Sequence, residues 1–169
     1  MTMEANTRAL ANELPAAKAA AARARMAELG GVGVFVRAPD DYRATDADII
    51  ALKDDQPALA KALLARGAHR FDAGEGEASL ADIDAALAID DKAGMAHAIR
   101  AMLLAAKGDV RADAAADRAL AIDPKSWMAL YAKGMQAFQI KRLDDAETYF
   151  SKSIEIEPKF FRSLAARGG

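Results

Sequence analysis

Ala86-Leu87-Ala88-Ile89-Asp90-Asp91-Lys92 returns as Ala119-Leu120-Ala121-Ile122-Asp123-Pro124-Lys125, and again as Ser153-Ile154-Glu155-Ile156-Glu157-Pro158-Lys159. The offsets are 33 and 34 residues. A near-constant period of that size marks stacked supersecondary units, each too small to bury its apolar face alone. Arrays of such units bind partners along a surface and rarely carry chemistry.

Working outward from the three motifs, the stretch from Pro57 reads as helix, tight turn, helix, repeated. The spacing predicts hairpins at 57–73 with 78–90, 93–107 with 111–122, and 126–140 with 143–156. Gly74-Glu75-Gly76, Lys107-Gly108-Asp109 and Lys141-Arg142 fill the turns inside units. Asp90-Asp91, Asp123-Pro124 and Glu157-Pro158 fill those between them. Proline ends the preceding helix and is tolerated in the first turn of the next. Upstream, Thr45-Asp46-Ala47-Asp48 reads as a capping box that starts a short helix through Leu52. Residues 3–14 and the alanine-rich stretch 15–29 read as helices, the second stopped by Gly30-Gly31. Val32-Gly33-Val34-Phe35-Val36 reads as a strand with no partner strand in the chain, so it is expected to be an extended linker or part of a neighbouring sheet.

The repeat resembles the tetratricopeptide repeat (TPR) family, whose units are 34-residue helix–turn–helix hairpins. The third unit matches through Leu130, Gly134, Ala146, Phe150, Ser153 and Pro158. The first matches through Leu63, Gly67, Ser79, Ile83 and Ala86, with Asp91 in place of the closing proline. The middle unit offers Ala96, Arg100, Ala112, Ala116, Ala119 and Pro124. Arg100 there replaces the small residue that lets two helices approach, and Ala116 replaces a large one. Leu164-Ala165-Ala166-Arg167-Gly168 parallels Leu130-Tyr131-Ala132-Lys133-Gly134 and reads as the start of a fourth unit, as in a piece of a longer protein. The resemblance implies an all-α, right-handed α-solenoid of three hairpins (about 57–91, 92–125 and 126–159). Residues 1–56 form an N-terminal helical extension and linker outside it.

In the family, the first helices of successive units line a concave groove. The resemblance places Leu64, Ala68 and Phe71 there from the first unit, His97, Ala101 and Leu104 from the second, and Met128, Tyr131, Met135 and Phe138 from the third. Ala65, Ala98 and Ala132 lie beside them. The best-known TPR ligand, an acidic chaperone tail, is held by a clamp of cationic and amide side chains. The matching positions here are Leu64, Ala68, Ala98, Met128 and Ala132, none of which pairs with a carboxylate. The groove is instead apolar, with the methionines and aromatics that suit adaptable binding surfaces. Two occupants fit it: a segment of residues 1–56 in cis, or an external peptide or helix.

The chain has 169 residues, 53% of them hydrophobic, enough for a domain with a core. Its net charge of -2 gives no case for nucleic acid, and no apolar run reaches the ~20 residues that span a bilayer. The N-terminus lacks the basic start and apolar middle of a secretory signal. The absence of cysteine removes thiolate and cysteine–zinc chemistry but fixes no compartment; cytoplasm and periplasm both suit such a chain. His69 and His97 have no second histidine at metal-ligand spacing. Asp82 and Asp84, two apart on a helix, point to different faces. No catalytic residue, cofactor or metal is expected. The expected partner is a protein or peptide, with no nucleic acid and no membrane span. Two further readings stand beside this one: a non-catalytic TPR tail of a larger bacterial enzyme (transglutaminase-like or peptidase), and self-association through the apolar C-terminal end.

Overall fold

The computed structural model describes residues 45–159. The regular structure among them is entirely helical: α1 (Asp46–Ala51), α2 (Gln56–Asp72), α3 (Gly76–Ile89), α4 (Gly94–Ala106), α5 (Arg111–Ile122), α6 (Trp127–Gln139) and α7 (Leu143–Ile156). The three hairpins thus fall within about two residues of the bounds read from the sequence. The expected helices at 3–14 and 15–29, the strand at 32–36 and the fourth-unit residues 160–169 lie outside the described residues. The chain divides after Asp90 into two compact units.

In the first unit, α1 is only six residues long and needs help to form. Thr45 and Asp48 supply it as a reciprocal capping box: the Asp48 amide donates to Thr45 Oγ1 at 3.2 Å, and the Thr45 amide donates to Asp48 Oδ2 at 2.8 Å. Leu52 and Ala62 then bury together, with Ile49, Ala58, Leu59 and Ala65 against them, so α1 is pinned to α2. Asp55 caps α2 by accepting from the Ala58 amide, and Pro57 sits in its first turn. α2 and α3 pack as an antiparallel hairpin.

In the second unit, α4 pairs with α5 and α6 with α7; α6 also packs against both α4 and α5. That is the layering a helical repeat requires, with each hairpin burying its neighbour's open face. The core is rich in alanine (Ala96, Ala98, Ala101, Ala105, Ala112, Ala116, Ala119, Ala129, Ala132), filled out by Ile99, Leu104 and Met128. Alanine contributes little area per residue but permits close helix approach.

The tail motifs that defined the period sit in equivalent settings. Asp90, Asp123 and Glu157 each end a helix with φ near -131°, with an extended ψ at Asp90 and Asp123 and ψ 70° at Glu157, and each amide donates to the carbonyl four residues back. The turns inside the hairpins are equivalent too. Glu75, Asp109 and Arg142 donate to Arg70, Leu104 and Ala137, five residues back; Gly74, Gly108 and Lys141 donate to Phe71, Ala105 and Phe138. These are three Schellman caps, each with a left-handed residue just past the helix. Glycine fills that position twice (φ 78° and 70°), but Lys141 fills it in the third turn at φ 65°.

Close approach within hairpins is set by one pair of positions. A methyl group on Gly67 would lie 2.8 Å from Ile83 Cδ1, and one on Gly134 would lie 2.5 Å from Phe150 Cε1. In the middle hairpin the same register holds Arg100 and Ala116, with Ala116 fully buried. By register, large and small stand on opposite helices here, and α4 and α5 still pack as a hairpin. Hydroxyls add a second tie. Ser79 Oγ donates to the Gly67 carbonyl at 2.7 Å, and Ser153 Oγ donates to the Trp127 carbonyl at 2.8 Å.

Two expected outcomes follow from these contacts. Gly134→Ala should lower stability by about 1–3 kcal/mol, because the Phe150 ring has to move aside; an unchanged urea midpoint would mean that the hairpin is looser than described. Lys141→Gly should raise stability by about 1 kcal/mol by relieving the left-handed backbone, and a fall in midpoint would show that the lysine side chain outweighs its strain.

Candidate functional site

The first helix of each hairpin carries the residues read as groove-lining. On α2, Leu64 is buried and Ala68 and Phe71 are half-buried. On α4, His97, Ala101 and Leu104 are all buried. On α6, Met128 is buried, Tyr131 and Met135 are half-buried, and Phe138 is 56% exposed. Half of the ten are thus closed to water. These positions came from the family's register, which names a helix face and leaves open what covers it.

α4 is the extreme case. Nine of its 13 residues are buried, Ala96–Ile99 and Ala101–Ala105, and they point in every direction around the axis. A helix that is apolar all round is a core helix rather than a surface one. Within its unit, α5 and α6 pack against it. Backbone ties hold α6 in register on it. Gln139 Nε2 donates to the Ala105 carbonyl at 2.9 Å, and Gln136 Nε2 donates to the Asp109 carbonyl at 3.1 Å.

The face becomes progressively wetter toward the end of α6. Tyr131 packs against Phe150 with ring centroids 5.2 Å apart and the ring planes tilted by 49°. Beyond it Phe138, Ile140 and Leu143 are each more than half exposed, with Lys141 Nζ 6.0 Å from the Phe138 ring centre.

His97 is the polar member of this face. It is 8% exposed, and its Nε2 lies 2.8 Å from the Asp91 carbonyl oxygen. A carbonyl only accepts, so Nε2 carries a proton. Nδ1 is buried and has no hydrogen-bond partner among the described residues. His69, the other histidine, is half-buried near Asp72; burial raises the Asp72 carboxyl above its ordinary range, and His69 partly offsets that.

Charged groups elsewhere do structural work. Asp82, 3% exposed, accepts from Arg66 Nε and Nη2 at 2.8 and 2.6 Å and from Arg70 Nη1 at 2.7 Å. Arg66 Nη1 also reaches Asp46 at 2.6 Å, so one guanidinium joins α1, α2 and α3. The hydrogen bond to Asp82 leads the effects that hold Arg66 above its ordinary range. The sequence reading separated Asp82 from Asp84 correctly, since Asp84 is exposed, but did not see that two arginines on α2 meet Asp82. Their spacing, Arg66 and Arg70 four apart on one helix face, was the available signal. In the second unit, Lys133 Nζ joins α6 to α5 through Asp113 and Asp117 at 2.9 and 2.5 Å. Burial alone would lower its pKa, but the two carboxylates outweigh that and raise it. Asp109, bound by the Arg111 side chain and backbone amide, is held down to about 2.

Among the described residues no group of three or more His, Asp or Glu side chains is arranged to hold a metal ion, and no helix is long and apolar enough to cross a membrane.

No protein-family model and no curated protein matches the sequence. Seven chains of solved structures do match. One is the crystal structure of MamA, with 23% sequence identity and a TM-score of 0.51, covering 69% of this chain and 71% of that one. A likeness at this identity bears on the fold, and it supports a TPR-type helical-repeat architecture.

The Asp82 cluster gives a direct check on this geometry. Asp82→Ala leaves two guanidinium groups, 17% and 26% exposed, facing a vacated apolar site. The expected loss is about 3 kcal/mol, the low end for breaking a buried pair, read as a lowered urea midpoint. A loss under about 0.5 kcal/mol, as for a surface pair, would contradict the burial described.

Proposed function

We propose that this chain is a TPR-type protein-interaction module without catalytic activity, and that its ligand is an apolar peptide or helix laid along the face of α4 and α6. His97, Ala101, Leu104, Met128, Tyr131, Met135 and Phe138 form that face; Leu64, Ala68 and Phe71 hold the same register positions on α2. The helical-repeat fold supports the interaction role, since such arrays present extended binding surfaces.

The observation that carries the reading is α4, buried on every side. A face of Ala, Leu and Met at helical spacing is stable in water only when another apolar segment covers it. The chain itself contains a segment of suitable composition, the alanine-rich stretch 15–29. Alanine permits close approach and favours helix, which makes that stretch a competent ligand in cis. An external helix would then bind by displacing it, and its apparent affinity would be reduced by the fraction of time that the face is occupied.

Trp127 fluorescence, at the start of α6, offers a readout. Full chain and chain lacking residues 1–30 are titrated with a helical peptide of Ala, Leu and Met. Deletion is expected to lower the thermal midpoint by several degrees and to tighten peptide binding by about tenfold or more. Unchanged stability together with no peptide binding by either form would remove the proposal.

A further inference from the structure

One edge of the second unit shows more apolar surface than its fold requires. The turn between α4 and α5 and the turn between α6 and α7 lie side by side, because Gln136 Nε2 and Gln139 Nε2 donate to the Asp109 and Ala105 carbonyls. Val110 in the first turn is 83% exposed, and Phe138, Ile140 and Leu143 around the second are each more than half exposed. The turn geometry does not need them. At the steps of the Schellman cap where the third hairpin holds Ile140 and Leu143, the first holds Ala73 and Gly76. The four side chains together show on the order of 400 Å² of apolar surface, a patch of the size that is often functional on a monomer.

The charges around this patch point to its occupant. Lys107, Arg111, Lys141 and Arg142 stand beside Asp109, Asp144 and Asp145. Such a near-balance does not fit an anionic membrane or a nucleic acid, each of which selects one sign. Arg111 pairs with Asp109 and Arg142 with Asp145, both at 2.6 Å. Lys141 and Asp144 have no ion-pair partner among the described residues; Lys141 Nζ stands 6.0 Å from the Phe138 ring centre. One spare cation and one spare carboxylate, with the exposed Leu143 between them in sequence, make the edge complementary to itself. Lys141 also holds a left-handed backbone, φ 65°, where the other two turns use glycine. Backbone strain of this kind clusters at sites that use it.

We propose that this edge is the contact between two copies of the chain related by a two-fold axis. Val110, Phe138, Ile140 and Leu143 of one copy meet the same residues of the other, and Lys141 of each copy faces the partner's Asp144. A two-fold contact repeats every pair twice, so one spare pair of charges per chain gives two ion pairs across the interface. The two patches bury about 800 Å² before any polar rim, less than a standard interface, so the dimer is weak, with a Kd on the order of 10–100 µM. This surface lies at the hairpin turns and is independent of the ligand face proposed for α4 and α6.

Sedimentation velocity on the full chain, over concentrations that span this Kd, tests the proposal. The wild-type chain is expected to pass from monomer to dimer. Lys141→Asp and Asp144→Lys each turn both ion pairs into like-charge contacts and should weaken association by about tenfold or more. Aspartate tolerates a left-handed backbone, and circular dichroism at low concentration checks that each variant is folded. An equimolar mixture of the two variants should recover the wild-type association, because each copy then supplies the charge that the other lacks. The double variant Ile140→Ser/Leu143→Ser should stay monomeric. A wild-type chain monomeric throughout would overturn the proposal. So would a dimer that both charge variants leave intact, or a mixture that associates no better than its components. A monomer that sediments with phosphatidylserine vesicles would overturn it in favour of a lipid surface.

Discussion

Two helices of a hairpin can lie against each other only when the side chains at their crossing together fill, and do not exceed, the space between them. Two hairpins meet that condition at one pair of positions, Gly67 against Ile83 and Gly134 against Phe150, and in the middle hairpin the same register holds Arg100 and a fully buried Ala116, a small residue on the opposite helix. Interiors packed to crystal-like density tolerate exchanges of volume across an interface better than changes in the total. This explains how a unit that departs from the pattern at two positions still forms the same hairpin.

Once the hairpins close, the remaining contacts follow from their repetition. Three Schellman turns reverse the chain within hairpins, and extended C-caps at Asp90 and Asp123 lead into the next one. The caps explain why the tail motifs are visible at all. An acidic residue before proline favours an extended backbone and ends the helix at Asp123 and Glu157. Asp90 adopts the same geometry before Asp91, without the proline. The constraint comes from the connection to the next helix, and proline only reinforces it. Polar groups then tie neighbours: Lys133 between α6 and α5, and Gln139 between α6 and α4.

Much of this was legible beforehand, for identifiable reasons. Helix bounds could be read because capping residues (Thr45, Asp55), glycines after helices (Gly74, Gly108) and prolines between units act locally. Three things could not be read. Lys141 in a left-handed cap breaks the local rule, and only alignment with Gly74 and Gly108 reveals it. The burial of Asp82 depends on which face of α3 meets α2, a tertiary fact that the single-residue pattern does not contain. Leu64, His97, Ala101, Leu104 and Met128 are buried, and while the sequence offered two possible covers for them, periodicity does not choose between them. In each case the missing information was the identity of a neighbour distant in sequence.

The central claim is that α4 is enclosed on all sides. Amide hydrogen exchange on the full chain addresses it most directly. The amides from Ala98 to Ala105 should be among the slowest in the molecule, exchanging only with global unfolding, while those at the end of α6 near Phe138 exchange by local opening. If the α4 amides exchanged as fast as those of the exposed end of α6, the helix would not be enclosed, and the surface assigned to it would be an ordinary wet face.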